Sequence, residues 1–229
     1  MSKVQSEYCY LVSGLSGSIG TSLANLLTSK GCRVIGITRS NLDKNLLEKY
    51  PNIEWMSYDA SKMDPSKEVF NNLKSLVPEK LSGVFHCSGK YSKGLTLDLS
   101  QEDYLDSLKA NLISAINVTK LSIDLVKPGG SIIILNSQAS SSASEEEISY
   151  GVSKRAISSY IDGMQIEATK RELQIVNVLC GAVQSSMAEG RDDYKKFISP
   201  NELSKILYSL SKAGKSLRIK DIEILRRQY

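Results

Sequence analysis

The sequence predicts an α/β fold: a doubly wound parallel sheet of about seven strands, with helices on both faces, in a single domain spanning residues 1–229. Three observations predict it. Short apolar runs alternate with helical patterns along the whole chain, the signature of βαβ units and of strands buried on both faces. A glycine-rich turn joins the first apolar run to the first helical pattern. No repeat, low-complexity segment or linker divides the 229 residues, a length that one large α/β domain fills.

The elements follow from local pattern. Residues 8–13, YCYLVS, are a short apolar run stopped by Gly14, a buried strand. Residues 18–30 place Ile19, Leu23, Leu26 and Leu27 on one face, and Gly31 ends that helix. Strands follow at 32–38, CRVIGIT, and more weakly at 53–58. Val69, Leu73 and Leu76 mark a helix closed by Pro78. Residues 83–87 predict a fourth strand, and 101–127 a long helix stopped by Pro128, Gly129 and Gly130. A fifth strand is expected at 132–136, a second long helix at 149–171 and a sixth strand at 173–179. A helix at 200–212, begun by Pro200, and a last strand at 219–225 complete the chain. The serines of 140–144, with Glu145, Glu146 and Glu147, read as an ordered loop, because regular patterns flank them closely.

Composition narrows the function classes. Hydrophobic residues are 41% of the chain, enough for a sizeable core, and the net charge is +4 with both signs interspersed. That is a solvated surface and not a nucleic-acid patch, and the basic Arg218, Lys220, Arg226 and Arg227 belong to it. Cys9, Cys32, Cys87 and Cys180 lack CxxC or metal-ligand spacing, so no metal site is expected. No apolar run has membrane-spanning length, and no signal peptide is read. The expectation is a reduced, soluble, cytoplasmic protein with neither membrane nor nucleic acid as partner.

The glycine turn, SGLSGSIG at 13–20, carries Gly14, Gly17 and Gly20 at intervals of three. Glycines so placed permit a tight turn, let the backbone approach a pyrophosphate and let the helix pack on the strand. The helix N-terminus then offers unpaired N–H groups and the positive end of its dipole. GK[ST] is absent, which excludes an ATP-type P-loop. The expected fold is therefore Rossmann-like. At the end of the second strand stand Thr38, Arg39 and Ser40, with no acid to accept from a ribose 2′-hydroxyl. The planar fork of Arg39 suits a 2′-phosphate, so NADP(H) is favoured over NAD(H). The other reading of Arg39 is a solvated loop residue.

The chemistry concentrates in SQASSSASEEEISYGVSK, residues 137–154. Tyr150 and Lys154 are four apart at the start of a helix and so share a face. A free phenol has a pKa near 10, and a neighbouring ammonium is expected to lower it towards the working range. Ser137 ends the fifth strand, where a hydroxyl points into the ligand crevice of an open α/β sheet.

With these pieces placed, the chain resembles the short-chain dehydrogenase/reductase family along nearly its whole length. Asn111 in KANLISAINVTK, then Ser137, Tyr150 and Lys154, match the family's catalytic Asn, Ser, Tyr and Lys in order and spacing. Asp59 and Ala60 resemble the acidic pair beside adenine, and CGAVQSSM at 180–187 resembles the family's PGxVxTxM segment beside the nicotinamide. The resemblance implies cofactor contacts from Gly14, Ser16, Gly17, Ser18, Ile19 and Gly20, from Arg39 and Ser40, and from Asp59 and Ala60. It implies further contacts from Cys87, Ser88 and Gly89, from Tyr150 and Lys154, and from Gly181, Val183 and Ser185. There are departures. Ser18 replaces a glycine of the usual turn, HCSG at 86–89 replaces NNAG, Cys180 replaces a proline and Ser185 a threonine. The first two lean towards the sugar-nucleotide branch of the family. His86, the only histidine, is read as a support of the sheet and the cofactor loop.

What the resemblance implies is an NADP(H)-dependent oxidoreductase acting on a small-molecule carbonyl or alcohol. Tyr150 would be the general acid or base, and Ser137 would hold the carbonyl oxygen. Lys154 would hold the nicotinamide ribose, and Asn111 would support a water chain returning protons to Lys154. The alternatives are a sugar-nucleotide-modifying enzyme, and a sensor or scaffold that binds NADP(H) without turnover. A homodimer or homotetramer through the two long helices is also implied. Leu105, Leu108, Leu112 and Ile116 serve that pairing or face their own sheet. The candidate lid at 188–199 is short and charged, which suggests a small or polar substrate. Glu145, Glu146 and Glu147 either disfavour anionic substrates or are simply solvated.

Overall fold

The protein is described by a computed structural model covering residues 7–39, 53–62, 64–142, 144–214 and 216–227. Ser40, one of the expected cofactor contacts, lies outside the described residues, as does Ala143 within the serine loop.

Seven parallel strands make one sheet. They are β1 (Cys9–Ser13), β2 (Arg33–Thr38), β3 (Ile53–Ser57), β4 (Leu81–His86), β5 (Val126–Ser137), β6 (Gln174–Cys180) and β7 (Asp221–Ile224). Their spatial order is β3-β2-β1-β4-β5-β6-β7. The chain reverses its direction of growth between β1 and β4, so the ligand crevice of such a sheet opens outside their carboxyl ends. The helices are α1 (Ser18–Ser29), α2 (Lys67–Leu76), α3 (Gln101–Leu108), α4 (Ser114–Ser122), α5 (Ile148–Lys170) and α6 (Pro200–Ser211).

Two cores lie on the two faces, and strand periodicity divides the residues between them. On β1, Tyr10 and Val12 pack with Leu23 and Leu27 of α1 and Leu203 and Leu207 of α6. Cys9 and Leu11 point the other way, towards Leu73 of α2, Ala115 and Val118 of α4, and Ile157 and Ile161 of α5. Serine caps mark helix starts. Ser66 accepts from the Val69 N–H, and Ser100 with Asp103 forms a reciprocal capping box at α3.

The expected long helix at 101–127 is corrected in two places. Its middle widens into one π-type turn, Lys109–Ile113, and its regular part ends at Ser122. Val126 already pairs with Leu81 at the start of β5, and the ladder resumes only at Ser131 opposite Gly83. Pro128, Gly129 and Gly130 therefore form a bulge inside the strand's first half and do not stop a helix. Gly129, at φ 77°, donates its N–H to the Glu172 carbonyl at 2.7 Å. A proline that cannot donate to the ladder is accommodated at such a bulge.

Candidate active site

A cleft of about 310 Å³ opens at the carboxyl ends of β1, β4, β5 and β6. Its inner wall is the glycine turn. Gly14 adopts φ +72°, and a Cβ there would stand 2.9 Å from the Cys87 carbonyl carbon and the Ser88 nitrogen. A Cβ on Gly20 would lie 2.2 Å from the Gly14 oxygen, so α1 can rest on the turn only without one. The N-terminus of α1 has no side-chain cap and no acid in its first turn. Its free N–H groups face the cleft beside Gly17, Ser18, Ile19 and Gly20. An open helix end, a turn without side chains and a buried lysine with no carboxylate partner among the described residues suit an anionic dinucleotide.

Asn111, Ser137, Tyr150 and Lys154 all line this cleft. Asn136, which sequence reasoning passed over, fixes the geometry among them. Its Nδ2 donates to the Lys154 carbonyl at 3.2 Å, to Ser158 Oγ at 3.0 Å and to Asn177 Oδ1 at 3.0 Å, and its Oδ1 accepts the Ser137 N–H at 2.9 Å. A buried amide with this many partners clamps the end of β5 to α5. Polar residues at a buried strand end next to the candidate serine were the available signal.

Lys154 is 4% exposed, and its ammonium donates to the Leu135 carbonyl at 3.4 Å. Burial pushes its pKa down to about 8. The expected lowering of the phenol is reversed. Burial pushes Tyr150 up to about 12; the Ser137 hydroxyl bonded to it works in the opposite sense, and the Glu147 charge adds to the rise. The ammonium sits 5.6 Å from the centre of the Tyr150 ring and is directed at a backbone carbonyl. Desolvation therefore outweighs its attraction for a phenolate.

Asn111 is fully buried in the π-type turn, a feature frequent at functional sites. Its Oδ1 accepts the Lys90 N–H at 3.0 Å, and its Nδ2 donates to the Lys90 carbonyl at 2.9 Å and to Ser153 Oγ at 3.0 Å. The side chain thus holds the β4–α3 loop against α5. His86 is 2% exposed and bonds Ser13 Oγ through Nδ1 at 2.8 Å. Burial, with the Lys154 charge, pushes it down to about 3, so it stays neutral and ties β4 to β1.

Cys87, Ser88, Gly89, Gly181, Val183 and Ser185 also line the cleft. Burial holds the thiols of Cys87 and Cys180 up at about 12, so neither is a ready nucleophile. Of the expected cofactor contacts, Gly14, Ser16, Arg39, Asp59 and Ala60 lie outside the cleft wall. Ser16 and Arg39 are exposed, Arg39 at the end of β2. Asp59 accepts from the N–H and hydroxyl of Ser61 at 3.1 and 2.6 Å, and the carbonyl of buried Ala60 accepts from Asn117 at 2.9 Å. Among the described residues, no three His, Cys, Asp or Glu side chains group to hold a metal.

The outer wall brings in Lys90 and Tyr91, which the sequence did not mark, and Arg191 from the candidate lid at 188–199, with Glu147 beside them. Tyr91 donates its hydroxyl to Glu147 Oε1 at 2.8 Å, and its ring meets Tyr150 edge-on with centres 5.2 Å apart. Arg191 packs its guanidinium 4.8 Å from the Phe197 ring centre.

Several known proteins are similar to this chain in sequence or fold. The NADPH-dependent 1-acyldihydroxyacetone phosphate reductase of Schizosaccharomyces pombe is 24% identical over 186 residues, 80% of this chain and 62% of that protein. The 3-ketodihydrosphingosine reductase of Yarrowia lipolytica is 23% identical over 241 residues, 93% of this chain and 64% of that protein. The chain therefore spans a little under two thirds of these two relatives. Ipsdienol dehydrogenase of Ips pini is 29% identical, over 83% of this chain and 81% of that protein. Among solved structures, an alcohol dehydrogenase from the archaeon Thermococcus sibiricus, complexed with 5-hydroxy-NADP, superposes with a TM-score of 0.82 at 21% identity. That match covers 97% of this chain and 99% of the other. BdcA in complex with NADPH superposes with a TM-score of 0.82 at 17% identity, over 96% and 94% of the two chains. The family model of short chain dehydrogenases matches residues 9–196, most of the length, and the chain belongs to that family.

Proposed function

We propose that this chain is an NADP(H)-dependent oxidoreductase that interconverts a carbonyl and an alcohol. One observation carries the reading: Ser137, Tyr150 and Lys154 converge on the same cleft that the open N-terminus of α1 enters. The cofactor, when bound, supplies or accepts the hydride at the carbonyl carbon. In reduction Tyr150 gives its phenolic proton to the carbonyl oxygen, and in oxidation it takes the proton from the alcohol. The Ser137 hydroxyl holds that oxygen, a bond that strengthens as alkoxide charge develops. Lys154 would hold the nicotinamide ribose, and Asn111 keeps the facing loop in position. Arg39, the absence of an acid at the end of β2, and the NADP-type ligands of two structural relatives support NADP(H) over NAD(H). The named relatives are two reductases and a dehydrogenase, which supports a small-molecule carbonyl or alcohol substrate. Four free thiols fit a reducing, cytoplasmic setting.

Tyr150→Phe tests this reading. NADPH binding, followed by cofactor fluorescence, is expected to persist while turnover falls by roughly 10²-fold or more. Undiminished turnover would remove Tyr150 from the mechanism. A second reading, a binder without turnover, draws on the raised phenol pKa. Tight NADPH binding with no consumption across a broad carbonyl panel would favour it.

A further inference from the structure

The outer half of the cleft holds one acidic side chain whose surroundings fix it on several sides. Glu147 immediately precedes α5 and stands three residues before Tyr150, so the two lie one turn apart. Its backbone is held on both sides. Glu147 bridges Gly94, the Glu146 carbonyl accepts the Gly94 N–H at 2.7 Å, and the Glu147 carbonyl accepts the Gly151 N–H at 2.7 Å. Glu146 takes φ 60°, a left-handed conformation unusual outside glycine. It turns its carboxylate outwards onto Lys93, 2.7 Å away. That twist sends the next side chain, Glu147, to the cleft wall. Strain of this kind, held by the surrounding structure, gathers at ligand sites.

Tyr91 fixes the carboxylate by donating to Oε1 at 2.8 Å. Oε2 bonds to no described residue, and no cation among the described residues forms an ion pair with Glu147. Two exposed serines, Ser144 and Ser186, line the same wall. Glu147 is half-buried, and an acceptor oriented by a tyrosine, one turn from the proton donor, is placed to take a hydrogen-bond donor of the ligand in exchange for water. Arg191 on the same wall adds positive potential, which disfavours an ammonium and leaves a neutral hydroxyl.

We propose that Glu147, oriented by Tyr91, is a specificity residue that accepts a hydrogen bond from a hydroxyl next to the reacting carbonyl, so that the substrates are α-hydroxy carbonyl compounds. This inference rests on the carbonyl–alcohol reading above. It also revises the view of the acidic stretch: Glu146 is neutralised by Lys93, and Glu147 serves as an acceptor in the site.

Three ketones of nearly equal size separate the outcomes: hydroxyacetone, 2-butanone and aminoacetone, each assayed by NADPH consumption with the full chain. The wild type is expected to prefer hydroxyacetone to 2-butanone by about tenfold or more in kcat/KM. In Glu147→Gln the Tyr91 hydroxyl engages the one remaining oxygen and an amide N–H₂ faces the cleft. In Glu147→Met no acceptor remains. Both variants are expected to lose most of the preference through a KM that rises for hydroxyacetone relative to 2-butanone, with NADPH binding intact; loss of the Glu147 charge, which raises Tyr150, acts on kcat for both ketones alike. Equal preference in wild type and both variants overturns the inference and leaves the oxidoreductase reading standing. A wild-type preference for aminoacetone that these variants abolish also overturns it, because the donor is then an ammonium. No turnover of any of the three, with turnover of other carbonyls in the broad panel, overturns this inference alone; no turnover across the whole panel overturns the oxidoreductase reading with it.

Discussion

Tyr150 and Lys154 are both driven towards their neutral forms by burial, the phenol to about 12 and the ammonium to about 8. Lys154 therefore loses its charge as pH rises through about 8, well below the usual lysine range. A cofactor that carries phosphates and places its ribose against the ammonium binds the charged form better. NADPH affinity is expected to fall roughly tenfold between about pH 7 and 9.5, and the slope is expected to vanish in Lys154→Met. Titration calorimetry at several pH values checks this; a flat wild-type profile would place the lysine away from the bound cofactor. His86 gives a second pH signature. Its pKa is about 3 when folded against 6.5 ordinarily. As pH falls below about 6.5 the unfolded chain takes up a proton that the folded chain refuses. The stability contribution is complete above that pH and is lost towards pH 3. Between about pH 6.5 and 4 the wild type is expected to lose about 3 kcal/mol relative to His86→Gln, read from urea unfolding at each pH.

At the scale of elements, the union of β1, the glycine turn and α1 has no slack. The Gly14 oxygen occupies the place where a Gly20 side chain would begin, 2.2 Å away, so Gly20→Ala must push α1 off the turn. Overpacking of this kind costs about 1–3 kcal/mol. The same shift withdraws the N–H groups of α1 from the cleft, so NADPH binding is expected to weaken more than tenfold while the fold persists. A thermal melt and a binding titration read the two effects separately. Unaltered binding with lowered stability would show that the helix end does not hold the phosphates. At the other end of the cleft, Asn136 ties β5 to α5, and the π-type turn of Lys109–Ile113 buries Asn111 against Lys90 and Ser153. These joints place Ser137 and Lys154 to within a hydrogen bond's tolerance.

For the whole molecule, the surface of α3, the π-type turn that follows it and α5 stands out. Leu105, Ile113, Val152 and Ile166 are 38%, 37%, 48% and 68% exposed. The four residues considered from the sequence divide: Leu105 is exposed, while Leu108, Leu112 and Ile116 are half-buried, with Leu112 packed on the chain's own core. An apolar face of this kind on two neighbouring helices supports pairing with a second copy. Light scattering after gel filtration is expected to give a dimer or tetramer. Val152→Glu with Ile166→Lys is expected to shift it to monomer. A monomeric wild type at about 10 μM would count against this assembly. No helix among the described residues is long and apolar enough to cross a membrane.

The sequence by itself determined the layered fold and singled out Ser137, Tyr150 and Lys154, which the structure brings to one cleft. Strand runs are apolar throughout because both faces of the sheet are covered, and Gly14, Gly17 and Gly20 announce a backbone that must come close to something. Tyr150 and Lys154 are joined by helical spacing, which is local and therefore legible. Tertiary structure decided what local pattern cannot carry. The Pro128–Gly130 bulge depends on pairing with β4, a strand more than forty residues earlier. The direction of the Tyr150 shift depends on how deeply the phenol is desolvated, and on an ammonium aimed at the Leu135 carbonyl. Asn136 and Tyr91 drew no notice in the sequence because a polar residue in a loop or at a strand end has no period. Only the packing of β4, β5 and α5 shows what each of them touches, and burial, which sets the strength of every charge in the cleft, exists only once the chain has closed around it.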